Sequence, residues 1–577
     1  IDAGAKQVVE VKVPESWKDA EDEGLFMAHA THGAQEAQDF VNNIQCKINA
    51  QEGNSLPVSA FTEYVDGTTP SGTAAYEKRG IAVNVPVWQP ENCIQCNRCA
   101  YVCPHAAIRP VALTEEEAAN APEGMATLPM TGMKDYKFTM TVSAYDCTGC
   151  GSCANVCPGK KGAKALAMEN MEANAGLQKF FDYGRELPIK EDVVAKFKET
   201  TVKGSQFKQP LLEFSGACAG CGETPYAKLI TQLFGDRMYI ANATGCSSIW
   251  GNSSPSTPYT TNAKGQGPAW ANSLFEDNAE FGYGMLLAQR AIRDGLKAKV
   301  EAVVAEGKDE AVKEAGQEWL DTFSVGATNG AATDKLIAAL EACGCDAAKE
   351  ILAQKNYLSK KSQWIFGGDG WAYDIGFGGV DHVLASGRDI NVMVFDTEVY
   401  SNTGGQSSKS TPTGAIAQFA AGGKETKKKD MASIAMSYGY VYVAQISMGA
   451  DFNQTVKAIA EAEAYPGPSL IIAYAPCINH GIKKGMAKAQ TEEELAVKCG
   501  YWHNFRFNPA ADKKFALDSK TPDMENYMDF LNGEVRYNSL QRQNPEKAAR
   551  LFAKNESEAK ARYAYLNKLV AMYGEEE

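Results

Sequence analysis

Sixteen cysteines are the residues of this 577-residue chain whose spacing most directly indicates chemistry. Eight of them form two runs with the same C-x2-C-x2-C-x3-C-P spacing. The first run is Cys93, Cys96, Cys99 and Cys103, and the second is Cys147, Cys150, Cys153 and Cys157. Thiolates bind iron well, and this spacing is typical of bacterial proteins that hold [4Fe–4S] clusters. The pattern therefore predicts two such clusters within a short stretch of chain.

In two-cluster proteins of this kind, the fourth cysteine of each run binds the cluster of the other run. The predicted ligand sets are Cys93, Cys96, Cys99 and Cys157 for one cluster, and Cys147, Cys150, Cys153 and Cys103 for the other. Zinc is the alternative, but structural zinc sites use four ligands in isolation rather than two interleaved sets closed by prolines. Two adjacent clusters conduct single electrons and carry out no substrate chemistry themselves.

A further C-x2-C pair, Cys218 and Cys221, lies on a glycine-rich loop. Cys246 and Cys477 each follow a strand-like apolar segment, MYIANA and SLIIAYA respectively. The carboxyl ends of parallel strands gather at one edge of a sheet, where cofactors bind. These four cysteines could therefore complete another four-thiolate site. The spacing alone leaves a zinc site, a redox dithiol and buried structural thiols open as alternatives.

Two other strand-like segments end in residues suited to a diphosphate. Gly368, Asp369 and Gly370 follow the run QWIF, and residues 396–402 follow the run INVMVF. This pair of strand ends resembles the motif that binds thiamine diphosphate. Glycine lets the backbone approach a diphosphate closely, and a carboxylate suits the Mg²⁺ that also binds diphosphate oxygens. An ordinary glycine-rich turn is the alternative, whereas a dinucleotide-binding fold is excluded because no G-x-G-x-x-G opens a helix after a strand.

The elements that position these residues alternate along the chain. From about residue 211, apolar strand-like runs alternate with helix-like segments such as 223–235 and 453–465. This alternation predicts an α/β fold with a parallel sheet and helices on both faces. A small α+β two-cluster domain of ferredoxin-like type is expected to precede it. The predicted domains are the end of a preceding domain plus a connector (1–85), the two-cluster domain (86–165), a linker (166–210), the thiamine diphosphate-binding domain (211–501) with a helical insertion (292–360), and a helical tail (502–577).

Composition and charge limit the partners of this chain. The net charge is −14, from 57 Lys and Arg against 71 Asp and Glu, and 44% of the residues are hydrophobic. Such a chain is globular rather than disordered, and its acidity argues against binding nucleic acid or an anionic membrane surface. No apolar run approaches the ~20 residues of a membrane-spanning helix.

The cysteines and the first residue bear on where and how the chain works. So many thiolates without a signal peptide predict a reducing cytoplasm. Because the chain begins with Ile1 rather than Met, we expect a fragment of a longer polypeptide or a processed chain. Cys343 and Cys345, in the helical insertion, are interpreted as free thiols.

From about residue 80 to its end, the chain resembles the C-terminal half of the pyruvate:ferredoxin (flavodoxin) oxidoreductase family. The stretches that carry the resemblance occur in the order of the family. They are CIQCNRCAYVCPHAAIRP, CTGCGSCANVCPGK, GACAGCGETPYAKL, NATGCSSIWG, GGDGWAYDIGFGGVDH, DTEVYSNTGGQSSKSTPTGA and EVRYNSLQRQNPEKA.

The resemblance assigns roles to residues that spacing alone leaves undecided. It implies that the third cysteine set binds the [4Fe–4S] cluster nearest the thiamine; this set is Cys218, Cys221, Cys246 and Cys477. It implies Mg²⁺ ligands at Asp369, Thr397 and the Val399 carbonyl. It also implies that Gly370 and Asn402 line the diphosphate and the reaction centre, and that Glu223 and Cys246 contact the cofactor. Asn402 and Glu223 are thus the candidate catalytic residues.

The activity that the resemblance implies is oxidative decarboxylation of pyruvate with coenzyme A to acetyl-CoA and CO₂. Electrons would pass singly from a thiamine-bound radical through three [4Fe–4S] clusters to ferredoxin or flavodoxin. The N-terminal half of the same enzyme would be needed for turnover, and a homodimer is implied. Two alternatives stay open: another 2-oxoacid:ferredoxin oxidoreductase, and a non-catalytic electron-transfer module on a degenerate α/β scaffold.

Overall fold

The computed structural model of the protein describes residues 4, 6–19, 30–31, 33–253 and 256–574. The chain divides into two compact units, Ile1–Pro70 and Ser71–Glu577. In the first unit, helix Gln35–Phe40 continues through a π-helical turn into helix Cys46–Asn49. The expected connector ended at residue 85, beyond this unit boundary. The difference arises because Ala74 and Ala75 already pack into a core of the second unit with Phe181 and Phe214.

The cysteine runs of the second unit lie in a small module of short antiparallel strands. Its strands are β1 (Asn84–Trp88), β2 (Ile108–Leu113), β3 (Leu128–Pro129), β4 (Lys137–Val142) and β5 (Leu166–Asn170). Strand β1 pairs with β5, and β4 lies between β2 and β3. Helices Arg98–Tyr101 and Ser152–Val156 each begin after a residue in the left-handed region, Asn97 and Gly151. The two cysteine runs therefore turn in the same way.

The segment 166–210 is part of this module rather than a linker. Strand β5 completes a pair with β1, and Val193, Val194 and Phe207 share one core with Ile108 and Phe138. The helices of this segment are Leu177–Glu186, Glu191–Phe197 and Val202–Ser205. Charged residues dominate the sequence of these helices, and each helix buries only a few residues. The sequence alone therefore predicted a linker.

The rest of the second unit is built on a mixed eight-stranded sheet. Its strands are β6 (Met238–Ala243), β7 (Ala269–Ser273), β8 (Ser362–Gly368), β9 (Ile390–Asp396), β10 (Tyr442–Ile446), β11 (Pro468–Tyr474), β12 (Phe505–Phe507) and β13 (Phe515–Leu517). The order across the sheet is β13-β12-β10-β11-β9-β8-β6-β7. Strands β6 to β11 are parallel, and β12 and β13 add antiparallel pairs at one edge.

Helices cover both faces of this sheet, as the alternation predicted. In β9, Ile390, Val392 and Val394 enter one core, whereas Met393 and Phe395 enter the core on the opposite face. The helices that pack on the first face include Asn278–Glu306, Phe377–Ala385, Met431–Met436, Tyr527–Gly533, Val535–Gln543 and Pro545–Met572. The helices on the second face include Thr224–Phe234 and Phe452–Ala464.

The tail after residue 501 is more than a helical appendage. It supplies β12 and β13 before its helices begin, and these strands extend the sheet beside β10. Strands of three residues carry too little periodicity to be recognised in the sequence. Helix Ala489–Lys498 precedes them, and its Ala496 joins the same core as the tail helices.

The helical insertion has a hydrophobic core of its own, formed around Trp319, Leu336 and Leu296. Its helices are Glu310–Asp321, Gly326–Cys343 and Asp346–Leu352, together with the second half of Asn278–Glu306. The predicted start at residue 292 falls inside that long helix, because its first turns pack on the sheet. None of the described helices combines the length and the apolar character needed to span a bilayer.

We predict that close packing of helix Asn278–Glu306 on the sheet depends on Gly282. A Cβ atom there would lie 2.6 Å from Ile365 Cγ1 and 2.9 Å from Ala241 Cβ, whereas one on the exposed Gly284 would meet nothing within 4 Å. Gly282→Ala should lower the free energy of unfolding by about 1–3 kcal/mol through overpacking. Gly284→Ala should raise it by up to about 1 kcal/mol through helix propensity. Calorimetry of both variants measures this difference, and equal effects would contradict the packing argument.

Candidate functional site

The predicted Mg²⁺ ligands meet where parallel strands β8 and β9 end. Asp369 follows β8 and is fully buried, and Thr397 follows β9. The Thr397 backbone amide and hydroxyl lie 3.1 and 3.0 Å from Asp369 Oδ1. The same hydroxyl lies 3.0 Å from the Val399 carbonyl, and the Ser408 hydroxyl donates to Asp369 Oδ2 at 2.5 Å. The structure therefore brings all three predicted oxygen ligands together, and adds Ser408, which the sequence did not indicate.

The charges around Asp369 fit a divalent cation. Burial, and then the neighbouring Asp396 carboxylate, raise the pKa of Asp369 well above its usual range. Lys428 Nζ lies 2.8 Å from Asp396 and 2.9 Å from Glu398, so it forms ion pairs with these two carboxylates. Among the described residues, Asp369 has hydroxyl and amide donors and no direct ion pair. A bound Mg²⁺ would supply the missing compensation, because it prefers carboxylate and carbonyl oxygens.

The backbone that carries Thr397 and Val399 is held by an ion pair from the tail. Glu398, between them, has a left-handed φ of 61°, which is unusual for a residue with a side chain. Its carboxylate lies 2.8 Å from the Arg536 guanidinium and accepts the Tyr501 hydroxyl at 2.5 Å. Although burial opposes ionisation, Lys428 and Arg536 lower the pKa of Glu398 to about 2. The tail thereby orients the carbonyl at Val399.

The two strand ends also approach each other through Gly370. A Cβ atom there would lie 2.4 Å from the Tyr400 ring, so only glycine fits without displacing that ring. Asn402, predicted to line the reaction centre, is exposed on the turn that follows. Gly370 is thus packed against Tyr400 within the site, whereas the Asn402 side chain is exposed.

The third cysteine set lies next to this loop. The Cys246 Sγ lies 3.1 Å from the Ser401 hydroxyl. The Asn479 amide donates to the Ser401 carbonyl at 3.2 Å and lies 3.7 Å from Cys477 Sγ. Burial raises the pKa of Cys477 to about 12, and the charge of Cys218 adds to this effect. Cysteines distant in sequence are therefore neighbours here, and Ser401 connects them to the thiamine-type loop.

Glu223 lies within the electrostatic range of the same cysteines. Its carboxylate is buried and accepts the indole N–H of Trp250 at 2.7 Å. Burial raises the pKa of Glu223 to about 7, although the hydrogen bond from Trp250 acts to lower it. The negative charge of Glu223 in turn raises the pKa of Cys246 and of Cys477. Glu223 is therefore placed with the third cysteine set, and its contact with the cofactor stays a prediction.

The eight cysteines of the small module lie close to one another, and cysteines of one run are neighbours of cysteines of the other. Cys157 lies close enough to Cys96 and Cys99 for its charge to raise the pKa of both. Cys103 acts in the same way on Cys147 and Cys153. One small cavity is lined by all four cysteines of the second set, namely Cys103, Cys147, Cys150 and Cys153. The last cysteine of each run therefore lies near the other run, and its assignment to the cluster of that run stays a prediction.

No three His, Cys, Asp or Glu side chains in the described parts of the chain converge closely enough to hold a single metal ion. This is compatible with the predicted ligands. A [4Fe–4S] cluster binds its four thiolates at four separate irons, so they need not surround one point. The Mg²⁺ ligands include a hydroxyl and a carbonyl beside one carboxylate, Asp369.

The three cysteine sets follow one another through the protein. The Gly220 amide, between Cys218 and Cys221, donates to the Cys150 sulfur, which joins the third set to the second. Cys99 of the first set is an electrostatic neighbour of Cys153 in the second. A groove open to solvent is lined in part by Cys96 and Cys157. The sets thus form a path from the Ser401 loop to the surface.

Fold and site together define a thiamine diphosphate-binding α/β protein joined to an iron–sulfur module. Residues 327–473 match the family described as thiamine pyrophosphate enzyme, C-terminal TPP binding domain. Residues 92–161 match a 4Fe-4S dicluster domain, and residues 28–82 match a domain of unknown function. The first two matches coincide with the sheet carrying Asp369 and with the module carrying the two cysteine runs.

The chain is similar over nearly its whole length to named enzymes. It is 55% identical to the pyruvate-flavodoxin oxidoreductase of Enterobacter agglomerans, over 99% of this chain and 48% of that protein. It is 54% identical to the pyruvate:ferredoxin oxidoreductase of Moorella thermoacetica, with the same coverage. The chain spans about half the length of the curated relatives it matches. Over that half, the chain resembles the pyruvate:ferredoxin (flavodoxin) oxidoreductase family, as its motifs predicted.

One solved structure is reported for comparison. It is a 2-oxoglutarate:ferredoxin oxidoreductase from Magnetococcus marinus with 2-oxoglutarate, coenzyme A and succinyl-CoA bound. Its TM-score is 0.27 at 15% identity, over 46% of this chain and 65% of that chain.

We predict that Arg536 stabilises the loop containing Glu398. Arg536→Met would leave the buried Glu398 carboxylate without its guanidinium partner, which should cost about 3–5 kcal/mol of unfolding free energy. It should also weaken Mg²⁺-dependent binding of thiamine diphosphate. Arg542→Met is the matched control, because Arg542 is exposed on the same helix and should change stability by about 0.5 kcal/mol or less.

Calorimetry and a thiamine diphosphate titration on the complete protein measure both effects. If the Arg536 and Arg542 variants behaved alike, the ion pair would not be what orients this loop.

Proposed function

We propose that this chain is the part of a pyruvate:ferredoxin (flavodoxin) oxidoreductase that binds thiamine diphosphate and conducts electrons. In the complete enzyme, pyruvate and coenzyme A would give acetyl-CoA and CO₂, with electrons leaving to ferredoxin or flavodoxin. The observation that carries the proposal is the contact of Cys246 with Ser401. It joins a four-cysteine set to the loop that ends β9, so an electron donor and an acceptor would be neighbours.

The residues around the cofactor would bind and orient it. When bound, thiamine diphosphate supplies the electron sink for decarboxylation of a 2-oxo acid. Asp369, Thr397 and the Val399 carbonyl would hold Mg²⁺, which is supported by their mutual contacts of 3.0 to 3.1 Å. Gly370 would allow close approach to the diphosphate. Asn402, exposed at the mouth of the site, would face the reaction centre.

Glu223 and Cys246 would contact the cofactor. Trp250 keeps the Glu223 carboxylate in one orientation through its 2.7 Å hydrogen bond. The Glu223 carboxylate is itself shielded from water, because its side chain is buried. A dry site strengthens each electrostatic interaction within it.

Three [4Fe–4S] clusters would carry the electrons away one at a time. The first acceptor would bind Cys218, Cys221, Cys246 and Cys477. The second would bind Cys103, Cys147, Cys150 and Cys153, and the third would bind Cys93, Cys96, Cys99 and Cys157. The open groove beside Cys96 and Cys157 supports this order, because the last cluster must lie near the protein that receives the electrons. The module would thus be a two-cluster domain of ferredoxin-like type.

The remaining partners follow from the relatives and from redox chemistry. The names of the relatives support pyruvate as substrate and flavodoxin or ferredoxin as acceptor. The chain spans about half of those proteins, so the N-terminal half of the same enzyme would complete the substrate and coenzyme A sites, and a homodimer is part of the proposal. Cluster thiolates persist in a reducing compartment, which supports the cytoplasm. Neither nucleic acid nor a membrane is a proposed partner.

The cofactor content of the complete protein tests the proposal. We expect about 12 irons per chain, as three cubanes require, together with bound thiamine diphosphate. Asp369→Asn should abolish thiamine diphosphate binding while leaving iron unchanged, because it removes the only carboxylate among the three Mg²⁺ ligands. Asp389→Asn is the control, since Asp389 pairs with Lys360 away from this site.

Iron, sulfide and thiamine are measured in the unaltered protein and in the two variants, and the result distinguishes an enzyme from a non-catalytic electron carrier. Intact clusters without thiamine in the unaltered protein would point to a non-catalytic electron carrier. A ratio of activities on pyruvate, 2-oxoglutarate and aryl pyruvates would identify the oxoacid.

The order of the clusters makes a separate prediction. Cys157→Ser should remove the cluster nearest the groove, lowering the iron content by about four per chain. Pyruvate and coenzyme A should still reduce the remaining clusters in a single turnover, whereas reduction of added ferredoxin or flavodoxin should fall by at least about tenfold. Cys499→Ser, which alters a buried thiol outside the sets, should change neither.

Stopped-flow absorbance follows both steps under anaerobic conditions. If Cys157→Ser instead stopped the single-turnover reduction, the proposed order would be wrong.

A further inference from the structure

Two cysteines outside the three sets meet on the surface of the helical insertion. Cys343 ends helix Gly326–Cys343, and Cys345 immediately precedes helix Asp346–Leu352. Gly344 between them has a left-handed φ of 61°, a conformation that glycine adopts without cost. This turn directs both side chains to the same side of the helix junction. The proposed reaction and clusters use neither thiol.

The two sulfurs are close enough to react with each other. Their separation is 2.8 Å, with the Cys343 thiol donating to Cys345 Sγ. A disulfide bond is about 2.0 Å long, so less than 1 Å of approach would be needed. Cys345 is exposed and Cys343 partly exposed, whereas Cys46 and Cys499 are buried. Among cysteines outside the three sets, this pair therefore combines proximity with access.

The local hydrogen bonds distinguish the roles of the two thiols. The hydrogen bond from Cys343 lowers the pKa of Cys345, and the Ala348 amide acts in the same direction. Donating that hydrogen bond raises the pKa of Cys343. The thiolate is the form that attacks disulfides. Cys345 is also the more exposed of the two thiols, so it is the attacking sulfur and Cys343 the one that resolves the product.

We propose that Cys343 and Cys345 form a thiol–disulfide exchange site for small thiol-derived disulfides such as glutathione disulfide. The Cys345 thiolate attacks one sulfur of the incoming disulfide, breaks its S–S bond and releases one thiolate. Cys343, after losing its proton to solvent, attacks the Cys345 sulfur of the mixed disulfide and releases the second. The two cysteines lose two electrons, and the incoming disulfide gains them as it becomes two thiols.

The geometry favours a reversible disulfide over one that stabilises the fold. A disulfide across Cys343-Gly344-Cys345 closes a very short loop, which removes little entropy from the unfolded chain. Small rings also strain the S–S bond and make it easier to reduce. The helices on either side are already held by the core around Leu336 and Trp319. The bond would thus respond to the thiol–disulfide balance of its surroundings rather than stabilise the fold.

The complete protein, kept anaerobic with its clusters bound, is equilibrated with glutathione buffers of increasing disulfide content. Free thiols are then alkylated, and the peptide containing Cys343 and Cys345 is analysed by mass spectrometry. We expect this peptide to lose both alkylation sites together and two hydrogen atoms, and to regain them with dithiothreitol. A peptide that stayed fully alkylated, or carried a separate glutathione on each cysteine, would overturn the proposal.

Single variants separate the two steps. Cys343→Ser should trap a stable glutathione adduct on Cys345, and Cys345→Ser should form the adduct on Cys343 at least about tenfold more slowly. Equal rates would overturn the assignment of Cys345 as the attacking thiol. Cys499→Ser should leave the exchange of the pair unchanged. Iron content, measured on the same samples, reports the clusters independently, so the result does not depend on the proposed enzymatic function.

Discussion

Buried negative charge at the carboxyl edge of the parallel sheet is the constraint on which this structure depends. Asp369, Asp396 and Glu398 are all essentially inaccessible to solvent. A carboxylate in such a place is costly unless cations and hydrogen-bond donors compensate it. Lys428 and Arg536 form ion pairs with Asp396 and Glu398, and a divalent cation would suit Asp369. The charge that the proposed cofactor site requires therefore also holds the C-terminal tail against the sheet.

The opposite face of the sheet holds the iron–sulfur module by different means. Lys228, from helix Thr224–Phe234, is fully buried and donates to the carbonyls of Ala100 and Tyr101 beside the first cysteine run. The Tyr101 ring packs edge-on against Phe452 at 5.6 Å, and its hydroxyl donates to the Phe452 carbonyl. Backbone carbonyls of the module accept the hydrogen bonds from Lys228. The sulfurs remain available for iron while the spacing between the sets is kept.

Prediction from sequence succeeded where a short local pattern carries the chemistry. The C-x2-C-x2-C-x3-C-P runs predicted an iron–sulfur module, and residues 92–161 match a 4Fe-4S dicluster domain. The crossed grouping of Cys157 and Cys103 stays a prediction. Prediction from sequence was less successful for short or amphipathic elements. Strands β12 and β13, of three residues each, and the packing of residues 166–210 were not predicted, because short strands and charged helices carry little periodicity. Strand β7 was not predicted either, and its residues are only partly buried or exposed. Ser401, Ser408 and Arg536 were missed as site residues because a lone polar residue has no local signature.

The sequence by itself determined which ligand types are present and how they are spaced: thiolates in C-x2-C runs, Gly-Asp-Gly after a strand, and strands alternating with helices. These features are local, so a linear pattern can encode them. Tertiary structure alone decided that Cys246 meets Ser401, that Arg536 reaches Glu398, and that Cys150 lies beside Gly220. Each of these contacts joins residues far apart in the chain. The first two arise because parallel strands place their carboxyl ends at one edge, where buried polar and charged groups need partners, and the third arises because the small module packs against that sheet domain.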